Sequence, residues 1–225
     1  GRNRRVLDEG LEGVAAAGDH GASTDSGRRR RVEELSQDFG IRGELTKLRV
    51  KPDSPLAGAT LAQSKIKSDY DLRVLGVLRR TQRSENRIPA PGPDLEIHPL
   101  DELLIIGASA DCDRLADDKL LTRIPITAGS RQRWLWEAGG ATVMLHPDSR
   151  LIGKSLVESE FRSHYDVDVL GMRRDQEPVK DYPNTDLMAS DSLFVFGPWP
   201  KIRQLQALSH DFIVTELPAE LAEIV

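Results

Sequence analysis

The sequence contains one stretch in two copies, Pro52-Asp-Ser-Pro-Leu-Ala-Gly-Ala-Thr-Leu61 and Pro147-Asp-Ser-Arg-Leu-Ile-Gly-Lys-Ser-Leu156. The offset of 95 residues continues as far as Arg79 and Arg174, and 14 of the 28 positions in this span are identical. Agreement over such a length indicates an internal duplication. We therefore expect two copies of one small domain.

The composition of the 225-residue chain is that of a soluble globular protein, with 39% hydrophobic and 30% charged residues. The formal net charge of −5 argues against a nucleic-acid-binding surface, because such a surface needs an excess of Lys and Arg. The single cysteine, Cys112, excludes an internal disulfide and fits a reducing compartment. No apolar stretch reaches the ~20 residues of a membrane helix, and no signal peptide is recognisable. We expect the chain as given to be soluble and cytosolic.

The two copies predict the same first elements. Alternating apolar residues predict a strand through Leu48 in the first copy and, less cleanly, through Val143 in the second. Thr60 with Gln63, and likewise Ser155 with Glu158, match the capping box that opens a helix. A short helix is therefore expected to start at the same point in both copies.

The later elements also agree between the copies. Apolar and β-branched residues predict a central strand over 72–78 and 167–172. A further strand follows Asp101 or Asp191, and an amphipathic helix comes after it. The first copy has five additional residues between these two strands, which is typical of a hairpin or loop. The order β-α-β-β-β-α predicts an α+β sandwich with at least one antiparallel pair.

The predicted domain boundaries follow from the repeat and from the Gly- and Ser-rich start of the chain. The predicted segments are a mostly disordered flexible linker (1–40), a first lobe (41–122), a connector (123–136), a second lobe (137–209) and a tail (210–225).

These motifs resemble the TrkA C-terminal domain, the C-terminal lobe of the RCK modules that regulate potassium channels and transporters. The resemblance rests on Ser54-Pro-Leu-Ala-Gly58, Thr60-Leu61 and the Asp-to-Gly strand 101–107, and on their counterparts in the second copy. The sequence contains no Gly-x-Gly-x-x-Gly that opens a helix after a strand. The nucleotide-binding Rossmann lobe of a complete RCK module is therefore absent, and no cofactor is expected.

Tandem lobes of this type without a Rossmann lobe resemble the cytosolic insert of sodium/sulfate or divalent-anion symporter permeases. The resemblance implies a regulatory module on the cytoplasmic side of the cell membrane, with the membrane-spanning part of the same transporter as its partner. The transported species would be potassium, or an anion coupled to sodium. The tail from Asp211 to Pro218 resembles the segment that leads back toward the membrane. The basic run Arg28 to Arg31 is either a membrane-flanking signal or a solvated part of the linker.

Binding of a small anion is the one chemistry that the residues favour. Loop serines and glycines before the predicted helices, together with cationic side chains, supply amide and guanidinium donors. The candidate ligand-binding residues are Ser54, Gly58, Arg79, Arg80, Ser149, Gly153, Lys154, Arg173 and Arg174. Related lobes in the family bind small anionic effectors, cyclic di-AMP among them, at the interface between two lobes. Turn glycines and solvated arginines are the simpler interpretation of the same residues.

No group of residues matches a catalytic or metal-binding motif, so we expect neither enzymatic activity nor a metal site. The leading expectation is a ligand-sensing module of a transporter, whose lobes pair within one chain as a pseudo-dimer or across chains as a homodimer. The alternative is a standalone ligand-binding or scaffold protein. A domain of a DNA-binding regulator would need a helix-turn-helix, which the sequence does not contain.

Overall fold

The structure, a computed structural model, describes residues 32–216. It contains two lobes, each preceded by an arm. The first arm (residues 32–43) contains helix α1 (Val32–Gln37). Lobe 1 consists of β1 (Glu44–Val50), α2 (Leu61–Ser64), α3 (Ile66–Tyr70), β2 (Arg73–Arg80), β3 (Glu85–Pro89), β4 (Glu102–Gly107), α4 (Ser109–Asp118) and β5 (Leu121–Ile124). The second arm (residues 125–137) contains α5 (Ala128–Glu137). Lobe 2 consists of β6 (Ala138–Leu145), α6 (Phe161–Tyr165), β7 (Asp168–Arg174), β8 (Glu177–Pro178), β9 (Ser192–Pro198), α7 (Trp199–Ala207) and β10 (Phe212–Glu216).

Each lobe is built on a five-stranded antiparallel sheet with the same strand order. The order is β3-β2-β4-β1-β5 in lobe 1, and β8-β7-β9-β6-β10 in lobe 2. The duplicated α+β fold predicted from the sequence is confirmed. The central strand is β4 or β9, however, and not the strand through 72–78 or 167–172 as predicted. The middle of strand β2 is apolar because both of its faces are covered: Leu75 and Leu78 pack between the lobes, and Val77 packs in the core of lobe 1.

The capping boxes form in both lobes but open different structures. Thr60 and Gln63 exchange bonds of 3.2 and 2.9 Å at the start of α2. Ser155 and Glu158 exchange equivalent bonds of 3.1 and 2.9 Å, yet the residues after Ser155 form successive turns, and the helix of lobe 2 starts only at Phe161. The prediction of a helix starting at the same point in both copies was therefore wrong for the second.

Three apolar clusters hold the molecule together. One lies between the sheet and helices of lobe 1, and a second lies in the equivalent place in lobe 2. The third joins the opposite faces of the two sheets, so the lobes pair within the chain. It contains Leu75 and Leu104 from lobe 1 and Leu170 and Phe196 from lobe 2, among others. Burial of this face from water stabilises the pairing.

The two arms cross to the opposite lobes. Phe39 of the first arm lies over Gly171 of lobe 2, where an added Cβ would be 2.7 Å from the Phe39 Cβ. Trp134 of the second arm lies over Gly76 of lobe 1, where an added Cβ would be 2.5 Å from the indole ring. Both pairs are related by the 95-residue offset. The arrangement therefore has an approximate two-fold symmetry in which each arm packs on the other lobe's sheet.

The hairpin after the second strand differs between the lobes. Strand β3 pairs with β2 over five residues, whereas β8 pairs with β7 over two. The five additional residues of the first copy thus belong to a longer hairpin, as the sequence predicted. The basic run at 28–31 and residues 217–225 lie outside the described residues.

Candidate functional site

Arg79 and Arg174, two of the predicted anion ligands, each bind a buried aspartate at the start of the central strand. Nε and Nη2 of Arg79 donate to the two carboxylate oxygens of Asp101 at 3.0 and 2.7 Å. The same atoms of Arg174 donate to Asp191 at 2.8 and 2.7 Å. These hydrogen bonds raise the pKa of both arginines. Each Nη2 also donates to a loop carbonyl at 2.8 Å, so three of the five N–H donors tie the loop to the strand.

Ser54 and Ser149 close the turns in which they lie. The hydroxyl of Ser54 donates to the carbonyl of Lys119 at 2.5 Å, and that of Ser149 donates to the carboxylate of Asp211 at 3.2 Å. Each hydroxyl also accepts the amide two residues later, at 3.2 Å in both lobes. Both serines are buried, and both hydroxyls already donate and accept hydrogen bonds within the protein.

Gly58 and Gly153 adopt left-handed backbone conformations, with φ values of +86° and +80°. No atom lies within 4 Å of a Cβ added at either position, so the conformation, and not close packing, accounts for the glycine. Their amides donate to loop carbonyls at 2.8 and 2.9 Å. Beside Gly153, the side chain of Lys154 is exposed.

Arg80 and Arg173 occupy different surroundings. Arg80 binds the carboxylates of Glu102 and Glu85. Arg173 lies 3.5 Å from Asp38 and packs over the ring of Phe39 in the first arm. Arg79 and Gly58 thus bind adjacent carbonyls of one loop in lobe 1, and Arg174 and Gly153 do the same in lobe 2. Arg80 and Arg173 do not join these groups, and none of the nine predicted residues lines the cleft where the lobes meet.

A cleft of about 600 Å³ lies where the two lobes meet. Lobe 1 contributes the turn between α2 and α3, the start of β2 and the loop at Pro91 and Pro93, whereas lobe 2 contributes Arg162 and the start of β7. A hollow of about 380 Å³ on the lobe 2 side shares Lys67, Arg162 and Asp168 with it. The main cavity has a volume typical of small-ligand sites, ~300–1,000 Å³.

Arg162 crosses the cleft from lobe 2 to lobe 1. Its guanidinium binds the carboxylate of Asp168 on its own lobe and the carbonyl of Ala90 on the other. Burial raises the pKa of Asp168, and the neighbouring charge of Arg162 opposes this effect. Arg162 is therefore a direct polar link between the lobes.

Lys67 stands at the position of lobe 1 that corresponds to Arg162, and its ammonium faces lobe 2. Its Nζ lies 5.6 Å from the centroid of the Tyr182 ring. Burial and the nearby charge of Arg73 lower the pKa of Lys67. The Nε of Arg73 is buried and has no hydrogen-bond partner within residues 32–216. The cleft thus contains cationic groups that the described residues leave incompletely neutralised.

These cleft residues lie inside the repeat but were not among those predicted from the sequence. One feature of the sequence could have identified them. Both copies have a cation followed by serine at this position, Lys67-Ser68 in the first and Arg162-Ser163 in the second. Within residues 32–216, no helix is long and apolar enough to cross a membrane. The same part of the chain has no cluster of three or more His, Cys, Asp or Glu residues that would hold a metal ion.

Two relatives are described as uncharacterized transporters. YfbS of Escherichia coli is 29% identical over 198 residues, which cover 87% of this chain and 32% of the relative. The protein sll0640 of Synechocystis is 25% identical over 202 residues, with 85% and 32% covered. The chain therefore spans about a third of the length of these relatives.

Two solved structures also share features with this chain. The RCK C domain of the potassium transport protein KtrA, in complex with cyclic diadenosine monophosphate, is 20% identical with a TM-score of 0.31, covering 38% of this chain and 88% of that one. The GsuK RCK domain is 10% identical with a TM-score of 0.29, covering 73% and 63%.

The sequence model of the TrkA-C domain matches two parts of the chain, residues 45–119 and 141–210. Together these matches cover more than half of the sequence, and each falls on one of the two lobes. The resemblance drawn from the repeated motifs is confirmed. The chain belongs to the TrkA-C domain family and carries two copies of that domain.

Proposed function

We propose that the chain is the ligand-sensing regulatory module of a membrane ion transporter. A small anionic effector, a nucleotide among the candidates, binds the interlobe cleft and changes how the two lobes pair. The duplicated TrkA-C domain and the relatives described as transporters support the regulatory role. A binding role, rather than catalysis, is also what the absence of a catalytic motif in the sequence favours.

The observation that carries this proposal is the meeting of Lys67 and Arg162 in one cleft. Each belongs to a different lobe, and each occupies the same position of the repeat. Because the cleft is lined by both lobes, a ligand that contacts residues of each lobe binds only one relative arrangement of the lobes well. Ligand binding therefore shifts the equilibrium between arrangements by its difference in affinity for them.

The partner that reads this change is the membrane-spanning part of the same transporter. This chain spans about a third of the relatives' length, which leaves room for membrane segments outside it. The first arm, which leads into lobe 1, packs on lobe 2 through Phe39. A displacement of lobe 2 would therefore act directly on the chain that precedes lobe 1. We place the module on the cytoplasmic side of the membrane and take potassium, or an anion coupled to sodium, as the transported species.

Calorimetry with residues 1–225 and cyclic di-AMP or AMP tests the proposal. At least one anion should bind, and Lys67→Ala should weaken binding about tenfold, as expected for loss of a charged hydrogen bond. Lys154→Ala is the matched control, since this exposed lysine lies outside the cleft. Hydrogen exchange should show ligand-dependent protection at both 61–74 and 162–170.

Two results would contradict the cleft as the site. Loss of binding in Lys154→Ala but not in Lys67→Ala would instead place the anion at the loops around Ser149 and Gly153, where the sequence predicted it. If no anion bound and hydrogen exchange were unchanged, the ligand-sensing role itself would be rejected.

A further inference from the structure

The two halves of the interlobe cleft occupy equivalent positions of the repeat but differ in charge. At the 95-residue offset, Lys65 in lobe 1 corresponds to Glu160 in lobe 2, and Arg73 corresponds to Asp168. All four residues line the cleft or the hollow that continues it. Each of these exchanges reverses the sign of the charge, so the cleft has the lobes' two-fold symmetry in its backbone but not in its electrostatics.

The cations of lobe 1 outnumber the carboxylates close to them, although the charge of Asp168 acts on both Lys67 and Arg73. Among the described residues, neither Lys65 nor Lys67 has a carboxylate partner within ion-pair distance. Arg73 has one such partner, Asp71, at 3.3 Å, and that carboxylate is 92% exposed. Water screens this contact, so it offsets little of the guanidinium charge. The lobe 1 half of the cleft therefore attracts an anion.

The lobe 2 half has the opposite character. Its one cation, Arg162, is bound to Asp168 and to the carbonyl of Ala90. Glu160 is exposed, and no cation within residues 32–216 pairs with it. This half therefore favours a group that donates hydrogen bonds, and it repels a second anion.

The shape of the cleft is also unequal. Equivalent hydrogen bonds hold the loop that covers each half. In lobe 1 the Ala62 amide donates to the Pro93 carbonyl at 2.9 Å, and in lobe 2 the Val157 amide donates to the Pro183 carbonyl at 3.1 Å. Just before these prolines, lobe 1 has Gly92 and lobe 2 has the buried Tyr182. The Tyr182 ring lines the smaller hollow on the lobe 2 side.

We infer that the ligand carries its negative charge at one end only, as a nucleoside monophosphate does. Its phosphate lies beside Lys65, Lys67 and Arg73. Its base lies toward lobe 2, where an exocyclic amine donates to Glu160. This inference rests on the proposed function and specifies the chemical class of its ligand.

A two-fold-symmetric cyclic dinucleotide matches this cleft less well. With one phosphate near Lys65, its symmetry would place the other near Glu160 and Asp168. The negative charges of this second phosphate and of the two carboxylates repel each other, which disfavours binding. Arg162 does not offset this repulsion, because it is already bound to Asp168. The divergence of the two repeats thus selects against a symmetric ligand.

The test compares AMP, cyclic di-AMP and inorganic phosphate by calorimetry on residues 1–225. AMP should bind most tightly. Lys65→Glu should weaken AMP roughly fivefold, whereas Glu160→Lys should strengthen cyclic di-AMP by a similar factor, since exposed charge contacts have about this size. Both positions are exposed, so the variants should fold; Lys51→Glu, an exposed charge reversal outside the cleft, is the control.

Each remaining outcome decides against part of the account. Tighter binding of cyclic di-AMP than of AMP would overturn the inference but leave the proposed function standing. Inorganic phosphate binding as tightly as AMP would also overturn it, because the nucleoside would then contribute nothing. Failure of all three anions to bind would reject the proposed anion site and this inference with it.

Discussion

The two arm contacts have the same position in the repeat but not the same packing. Over Gly171 lie the Cβ and backbone oxygen of Phe39, at 2.7 and 3.3 Å from an added Cβ. Over Gly76 lies only the far edge of the Trp134 ring, at 2.5 Å. Phe39 also stacks on Phe194, with ring centroids 5.5 Å apart. The duplication has kept the glycine and the aromatic residue in both places, while the depth of the contact has diverged.

Polar residues beside these contacts diverge further. In lobe 1, Glu102 is 1% exposed and lies 3.2 Å from Lys47 and 2.7 Å from Arg49. Lobe 2 has Ser192 at the position of Glu102 and Thr142 at that of Lys47. The aromatic contacts between the lobes are therefore common to both repeats, whereas the buried ion pair of Lys47 and Glu102 has no counterpart at the equivalent positions of lobe 2.

Removing the arm side chains should give the largest effect. Trp134→Ala and Phe39→Ala should each lower the free energy of unfolding by about 3–5 kcal/mol, the usual cost of deleting a buried aromatic side chain. The indole N–H of Trp134 makes no hydrogen bond within residues 32–216, so its loss is one of packing. Urea unfolding measures both variants.

Trp136→Ala provides the control for these variants, because this neighbouring side chain is 57% exposed. We expect a change below ~0.5 kcal/mol for such a surface position. An equal loss of stability in Trp136→Ala and Trp134→Ala would show that the second arm does not pack on lobe 1 as described.

Buried Glu102 should make the free energy of unfolding depend on pH, and the equivalent position of lobe 2, Ser192, has no group that titrates. Burial acts to raise the pKa of Glu102, but the hydrogen bond from Arg49 and the nearby charge of Lys47 outweigh it, so the pKa lies below its usual value. Because the folded state holds the proton less tightly than the unfolded state, this contribution is complete above the unfolded pKa, ~4.3. It is lost as the pH falls through the lower folded pKa.

Glu102→Gln should therefore cost about 3 kcal/mol at pH 7, since it leaves Lys47 buried without its carboxylate. It should also flatten the fall in stability between about pH 5 and pH 3. Chemical unfolding across this range, with the exposed Glu96→Gln as control, measures both effects. A slope identical to that of the unmodified chain would assign the acid sensitivity to other carboxylates.

The two glycines should give the smallest and most discriminating effect. Gly171→Ala should cost about 2 kcal/mol, because overpacking a rigid contact costs ~1–3 kcal/mol. Gly76→Ala should cost less, since the edge of the Trp134 ring can tilt away. Combining Gly76→Ala with Trp134→Ala should remove the cost of the added methyl group, because the ring atoms that it meets are gone. Phe39→Ala should not rescue Gly171→Ala, since alanine keeps the Cβ and backbone oxygen of residue 39; double-mutant cycles in urea measure both. Equal costs at the two glycines would remove the difference that we draw between the arms.

Local features of the fold could be predicted from the sequence because their partners are a few residues apart. The capping box from Thr60 to Gln63 is such a case, and both of its bonds are present. The helix predicted after Ser155 does not form. The chain there makes successive hydrogen-bonded turns until Glu160, which adopts a left-handed conformation. A short helix and a series of turns differ in only a few hydrogen bonds, so the residue types alone do not decide between them.

The candidate site could not be predicted in the same way because it exists only where the lobes meet. Spacing identified Arg79 and Arg174 as cations at strand ends, but not the buried aspartates that bind them. Nor did it show that Lys67 faces the other lobe, since this depends on how the two sheets pack. The relation between Lys67 and Arg162 was visible in the sequence, but its meaning required the pairing of the lobes.

Helix α5 both joins the two TrkA-C copies and packs against the first of them. Trp134 lies on Gly76, and the Leu135 carbonyl accepts a 2.5 Å hydrogen bond from Trp199 of lobe 2. The segment between the copies is therefore a rigid spacer rather than a flexible linker. Because it contacts both lobes, its width sets the distance between them.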